Sequence, residues 1–142
     1  MKHPRPADAA GELTLATQEL GWAFRWADGR LVSALLENKL ADRGWMLTGV
    51  TELTLVLSAA PDRVAEPLAR IDDFAVRAAR AIGRTGAVFT LHSAALGLEV
   101  SLHVKLEGAT RRKWVELTNT TGRDLLLLDV ELDDFSIPGA AT

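Results

Sequence analysis

Arg111-Arg112-Lys113-Trp114-Val115-Glu116-Leu117-Thr118-Asn119-Thr120-Thr121-Gly122-Arg123-Asp124-Leu125-Leu126-Leu127-Leu128-Asp129-Val130-Glu131-Leu132 is the stretch whose pattern decides the fold class. Side chains of an extended strand alternate between two faces, so Val115 and Leu117 share one face and Arg112, Glu116 and Thr118 the other. Asn119 to Gly122 supply turn chemistry, and a second run then sets Leu126, Leu128, Val130 and Leu132 against Asp129, Glu131 and Asp133. The stretch predicts a β-hairpin with one core face and one face toward water or a partner.

The same period recurs along the chain. Leu13 and Leu15 alternate, and Trp22, Phe24 and Trp26 put three aromatic rings on one strand face, where burial in a core is the favoured reading because each ring hides a large apolar area. Ala27-Asp28-Gly29-Arg30 predicts a tight hairpin turn, since Asp-Gly readily adopts positive φ, and Leu31 to Leu36 forms the return strand. Residues 37 to 49 predict a connection lying across the sheet rather than a clean strand. Leu53, Leu55 and Leu57 give another strand, ended by Pro61. From Asp62 to Ile82, Val64, Leu68, Ile71, Ala75 and Ala78 approximate helical spacing, but Pro67 interrupts it; a strand from about Phe74 is preferred, with one short helix near 62–72 as the alternative. Val88 to Leu91 is a short strand. Leu98, Val100, Leu102, Val104 and Leu106 then alternate with Glu99, Ser101, His103, Lys105 and Glu107. Strands recurring every eight to twelve residues with glycine-bearing turns argue for an all-β antiparallel β-sandwich.

The basic residues and the aromatic at 111–114, a strand ending in Leu117-Thr118-Asn119, and the Leu- and Val-rich strand after it resemble the N-terminal β-sandwich domain of family 36 α-galactosidase-like glycoside hydrolases. Phe24-Arg25-Trp26-Ala27-Asp28-Gly29-Arg30-Leu31 and Leu36-Glu37-Asn38-Lys39 are similar to the opening strands of such domains. The resemblance implies a sandwich of the galactose mutarotase-like supersandwich type that precedes a catalytic (β/α)-barrel. It also implies no catalytic residue in this chain, because the family's catalytic carboxylates lie in the barrel.

Composition bounds the rest. At 142 residues, 48% hydrophobic and 25% charged, the chain is long enough for one well-buried core. The expected organisation is a flexible arm over 1–11, a sandwich over 12–137 and a linker or tail over 138–142, with more protein expected to follow. Lys and Arg number 16 against 19 Asp and Glu, so the net charge of −3 gives no general attraction to nucleic acid or an anionic membrane. With no cysteine, thiolate metal sites, disulfides and cysteine nucleophiles are excluded. No secretory signal or membrane span is visible near the N-terminus or beyond, which makes the cytoplasm the expected location.

Candidate chemistry is sparse. His92 and His103 could approach across a hairpin as a zinc or acid/base pair, yet with no third ligand a solvated strand face is the favoured reading. Asp129, Glu131 and Asp133 line one strand face, but a straight strand spreads alternate carboxylates roughly 6.5 to 7 Å apart, a poor cage for calcium. Trp114, with Arg112 and Lys113 beside it, is the candidate contact to carbohydrate or to a following domain. The expected function is a non-catalytic accessory domain that packs on a catalytic barrel or a homo-oligomer partner and shapes a sugar site, without cofactor, metal, nucleic acid or membrane. The alternatives are a free-standing carbohydrate-binding module and a small sugar epimerase using His92 and His103.

Overall fold

The computed structural model describes residues 10–58 and 69–136. Among these residues the chain forms strands and no helix: β1 (Ala10–Ala16), β2 (Leu20–Ala27), β3 (Arg30–Asn38), β4 (Arg43–Met46), β5 (Thr48–Thr51), β6 (Thr54–Ser58), β7 (Ala69–Ile71), β8 (Phe74–Ile82), β9 (Gly86–Ser93), β10 (Leu98–Glu107), β11 (Thr110–Thr118), β12 (Leu126–Glu131) and β13 (Asp134–Ser136). One large antiparallel sheet runs β1-β2-β3-β8-β9-β10-β11, with β4 also paired to β3; a smaller one runs β12-β6-β7, and β13 pairs with β5. This is an all-β sandwich. No helix of the described residues is long and apolar enough to cross a membrane.

Local chemistry explains the elements. Asp28 and Gly29 both have positive φ, 52° and 82°, the pair of angles a two-residue hairpin needs to join β2 to β3 with Ala27 opposite Arg30. Along β10 the alternation is strict: Leu98, Val100, Leu102, Val104 and Leu106 are buried while Glu99, Lys105 and Glu107 are exposed. Leu15, Phe24, Phe89 and Leu102 lose all contact with water, and each such side chain contributes roughly 1.5–3 kcal/mol relative to exposure. Phe24 and Trp26 meet Phe89 edge to face, with ring centroids 5.1 and 6.0 Å away. Trp22 is buried too and donates its indole N–H to Ser33 Oγ at 2.8 Å. The small sheet closes this core with Leu53, Leu55 and Leu57 on and beside β6.

Charge also bridges the two sheets. The Lys113 side chain, on β11, is 4% exposed; its ammonium donates to Glu52 Oε2, to the Leu132 carbonyl and, at 3.0 Å, to Asp133 Oδ1, which uses all three of its protons. Arg111 donates to Asp133 Oδ2 at 2.6 Å and lies with its guanidinium carbon 4.0 Å from the centre of the Trp22 ring. The cluster joins β11 in the large sheet to the connections that enter β6 and leave β12.

Several expectations change. The stretch from Arg111 to Leu132 is not a hairpin: β11 pairs with β10 and β12 pairs with β6, so residues 119–125 carry the chain from one sheet to the other. Asn119 and Thr121 fold this crossing on itself, Asn119 Nδ2 donating to the Arg123 carbonyl. A bulge at Leu128 breaks the alternation of β12, and Leu126, Leu127 and Leu128 are exposed; Val130 and Leu132 are the ones that meet the core. Residues 43–46, expected in a connection, form β4, with Met46 and Trp45 laddered opposite Leu35 and Leu36 of β3. Of the alternative helix near 62–72, residues 69–71 are strand and the part over 62–68 lies outside the described residues. Of the arm expected over 1–11, Ala10 and Gly11 already belong to β1, and 1–9 lie outside the described residues, as does the tail over 138–142.

Two tests follow from this arrangement. Lys113→Met leaves the Glu52 carboxylate buried without its cation and is expected to lower stability by about 3–5 kcal/mol, read from urea denaturation, with Glu52→Leu in the same chain recovering a large part. A loss under about 0.5 kcal/mol, the size of an ordinary surface substitution, would contradict burial of the pair. Asp73 gives a pH test. Burial raises its carboxyl pKa, but hydrogen bonds from the Ser93 hydroxyl at 2.5 Å and the Ala95 N–H at 3.0 Å outweigh that and hold it below the ordinary 3.8. A depressed folded pKa stabilises above the unfolded value and stops doing so as pH falls through the folded one. Asp73→Asn is therefore expected to lose stability at neutral pH and to converge on the wild type below about pH 4, measured as denaturation midpoint against pH.

Candidate functional site

The face of β8–β11 that points away from the core is built in rows across the sheet. Cross-strand pairing puts Ala78, Thr90, Ser101 and Glu116 in one row and Arg80, Val88, His103 and Trp114 in the next. The first row is small at its centre, so the sheet dips there. Arg80, His103 and Glu116 rim a depression of about 430 Å³ floored by Ala78, Val88, Thr90 and Ser101, within the ~300–1,000 Å³ usual for small-molecule sites. On the other side of His103 and Trp114 a second hollow of about 280 Å³ reaches Ile82 and Lys105.

The wall between the hollows is an aromatic stack. His103 and Trp114 lie nearly parallel, 7° apart with ring centroids at 5.0 Å, and the indole keeps 40% of its surface exposed. His103 Nε2 is 3.3 Å from Glu116 Oε1, within ion-pair range when the ring is protonated but not aligned for a hydrogen bond. Around the floor, basic groups are mostly engaged: Arg77 donates to His92 Nδ1 at 3.0 Å, and Lys105 and Arg112 lie 3.4 and 3.6 Å from Glu107. Arg80 is exposed and makes no ion pair or hydrogen bond among the described residues, and the same holds for the Thr90 and Ser101 hydroxyls on the floor. An exposed ring face, two free hydroxyls, a free guanidinium and a carboxylate on a rigid sheet can bind a small polyhydroxylated molecule by stacking and hydrogen bonding.

Of the residues the sequence singled out, Trp114 and Arg112 share this outer face. Lys113 does not: it points into the sandwich, so the three never form one contact surface. His92 pairs with Glu99 and His103 with Val88, which separates the two rings by four rungs, roughly 13 Å along the strand. They do not converge as an acid/base pair. Glu131 and Asp133 turn to cations instead of to one another, Glu131 to Arg70 at 2.6 Å and Asp133 to Arg111, while Asp129 accepts from the Val130 N–H. Among the described residues no group of three or more His, Asp or Glu side chains is disposed to hold a metal ion.

Arg80 escaped sequence reasoning for a physical reason. Phe74 and Val76 face the core, and continued alternation would turn Ala78 and Arg80 inward as well. A bulge at Arg77 resets the parity, so Ala79 packs on the core and Arg80 points out. An arginine where alternation calls for a core residue was the signal available. In comparisons with known proteins, no family model, curated protein or solved structure matches the chain.

Proposed function

We propose that this chain is a non-catalytic accessory domain of an α-galactosidase-like glycoside hydrolase, working in the cytoplasm. It packs on a catalytic barrel or partner subunit and contacts carbohydrate through the outer face of β8–β11. The observation that carries the reading is the exposed indole of Trp114, held flat against His103, whose ring lines the polar hollow on one side while the indole lines the smaller hollow on the other. Sugar rings present an apolar face edged by hydroxyls, and a fixed aromatic plane beside free hydroxyl and carboxylate groups matches both features. Fixing the indole in advance also spares the ordering entropy that a mobile side chain loses on binding. The link to a glycoside hydrolase rests on the sequence resemblance at Phe24–Leu31 and Arg111–Leu132. A free-standing carbohydrate-binding module is the second reading, favoured by a hollow whose walls and floor all come from one chain.

Titration calorimetry against a panel of mono- and oligosaccharides tests this. Trp114→Ala is expected to weaken sugar binding about tenfold or more while Trp114→Phe keeps part of it, with the denaturation midpoint little changed because the ring is half outside the fold. If Trp114→Ala alters neither sugar affinity nor assembly with a barrel or partner subunit, the reading is overturned.

A further inference from the structure

We propose that the hollow between Arg80 and His103 takes a sugar bearing an anionic group, a carboxylate or a phosphate, and that Arg80 receives the charge; this rests on the carbohydrate reading above. The hollow is electrically lopsided. Its β8 end carries Arg80 and its β11 end carries Glu116, three strands or roughly 14 Å of backbone away and one row over. The Glu116 carboxylate lies 3.3 Å from His103 Nε2, whereas the Arg80 guanidinium has no partner among the described residues. A guanidinium offers a planar fork that fits a carboxylate or phosphate edge with two parallel hydrogen bonds. Between the ends lie the Thr90 and Ser101 hydroxyls, also without partners, facing a ligand's own hydroxyl groups.

These positions orient the occupant. Glu116 repels an anion from the β11 end and accepts hydrogen bonds from hydroxyls there, so the charged group of the sugar lies toward β8 and its ring toward His103. A neutral sugar would leave the Arg80 charge without a counter-charge. With a net charge of −3 the chain does not gather anions generally, so selectivity for an anionic sugar has to come from a local group such as Arg80.

The test is binding of matched pairs to the full chain, glucose against glucuronate and galactose against galacturonate, with glucose 6-phosphate and galactose 6-phosphate added to identify which anion is preferred. At least one anionic sugar is expected to bind about tenfold or more tightly than its neutral partner, with the gap narrowing as salt rises. Arg80→Gln is expected to remove that gap by weakening the anionic partner far more than the neutral one, with the denaturation midpoint unchanged, and Arg80→Lys to restore part of it. Equal binding of neutral and anionic partners, or a gap that survives Arg80→Gln, overturns the assignment to Arg80 and leaves the carbohydrate reading standing. Absence of binding by every sugar, neutral or charged, overturns both.

Discussion

A lysine ammonium buried between two sheets sets the terms for the rest of this molecule. An unpaired charge in a protein interior costs several kcal/mol, so Lys113 can occupy its site only where Glu52, the Leu132 carbonyl and Asp133 all reach it. Those three partners come from the connections on either side of the small sheet. The register of β11 against them is thereby fixed, and with it which face of β11 looks inward. Arg111, Lys113 and Val115 turn toward the sandwich; Arg112, Trp114 and Glu116 turn away. A slip of one residue would bury Trp114 and Glu116 and expel Lys113, reversing both faces together. The outward site is thus a consequence of an inward ion pair.

A second parity device works at the other end of the same sheet. The bulge at Arg77 reverses the alternation of β8 midway, so the strand gives Phe74 and Val76 to the core and Arg80 to the outer face. β9 and β10 between them are regular, and their small outward residues, Thr90 and Ser101, create the hollow by what they lack. Both rims of the hollow therefore depend on departures from simple strand behaviour: a buried cation on β11 and a bulge on β8.

That is why the fold was more legible than the site. Asp28-Gly29, the Trp22-Phe24-Trp26 series and the Leu98–Leu106 run each act through local conformation or period, which a single sequence displays directly. Partner choice does not show in this way. The run from Arg111 to Leu132 reads as two adjacent strands, and only the distant demand of β10 for a neighbour on one side and of β6 on the other pulls them into separate sheets. Lys113 looked like a surface residue because basic side chains usually are, and the carboxylate that makes its burial possible lies 61 positions away. Bulges at Arg77 and Leu128 leave a trace in the pattern, but only as a local disagreement between polarity and parity.

The cations of this chain divide by what holds them. Lys113 and Arg111 are occupied by the fold, so a change at either removes a bond between sheets and moves Trp114 as a side effect. Arg80 has no ion pair or hydrogen bond among the described residues, so its substitution removes none. The same holds for the outward faces of Thr90 and Ser101. Residues that can change without disturbing the core are the ones through which a sheet face can be tuned to one ligand or another, since stability does not constrain them. Arg80, Thr90 and Ser101 share one hollow, bordered by His103, against whose ring the register set by the buried lysine holds Trp114.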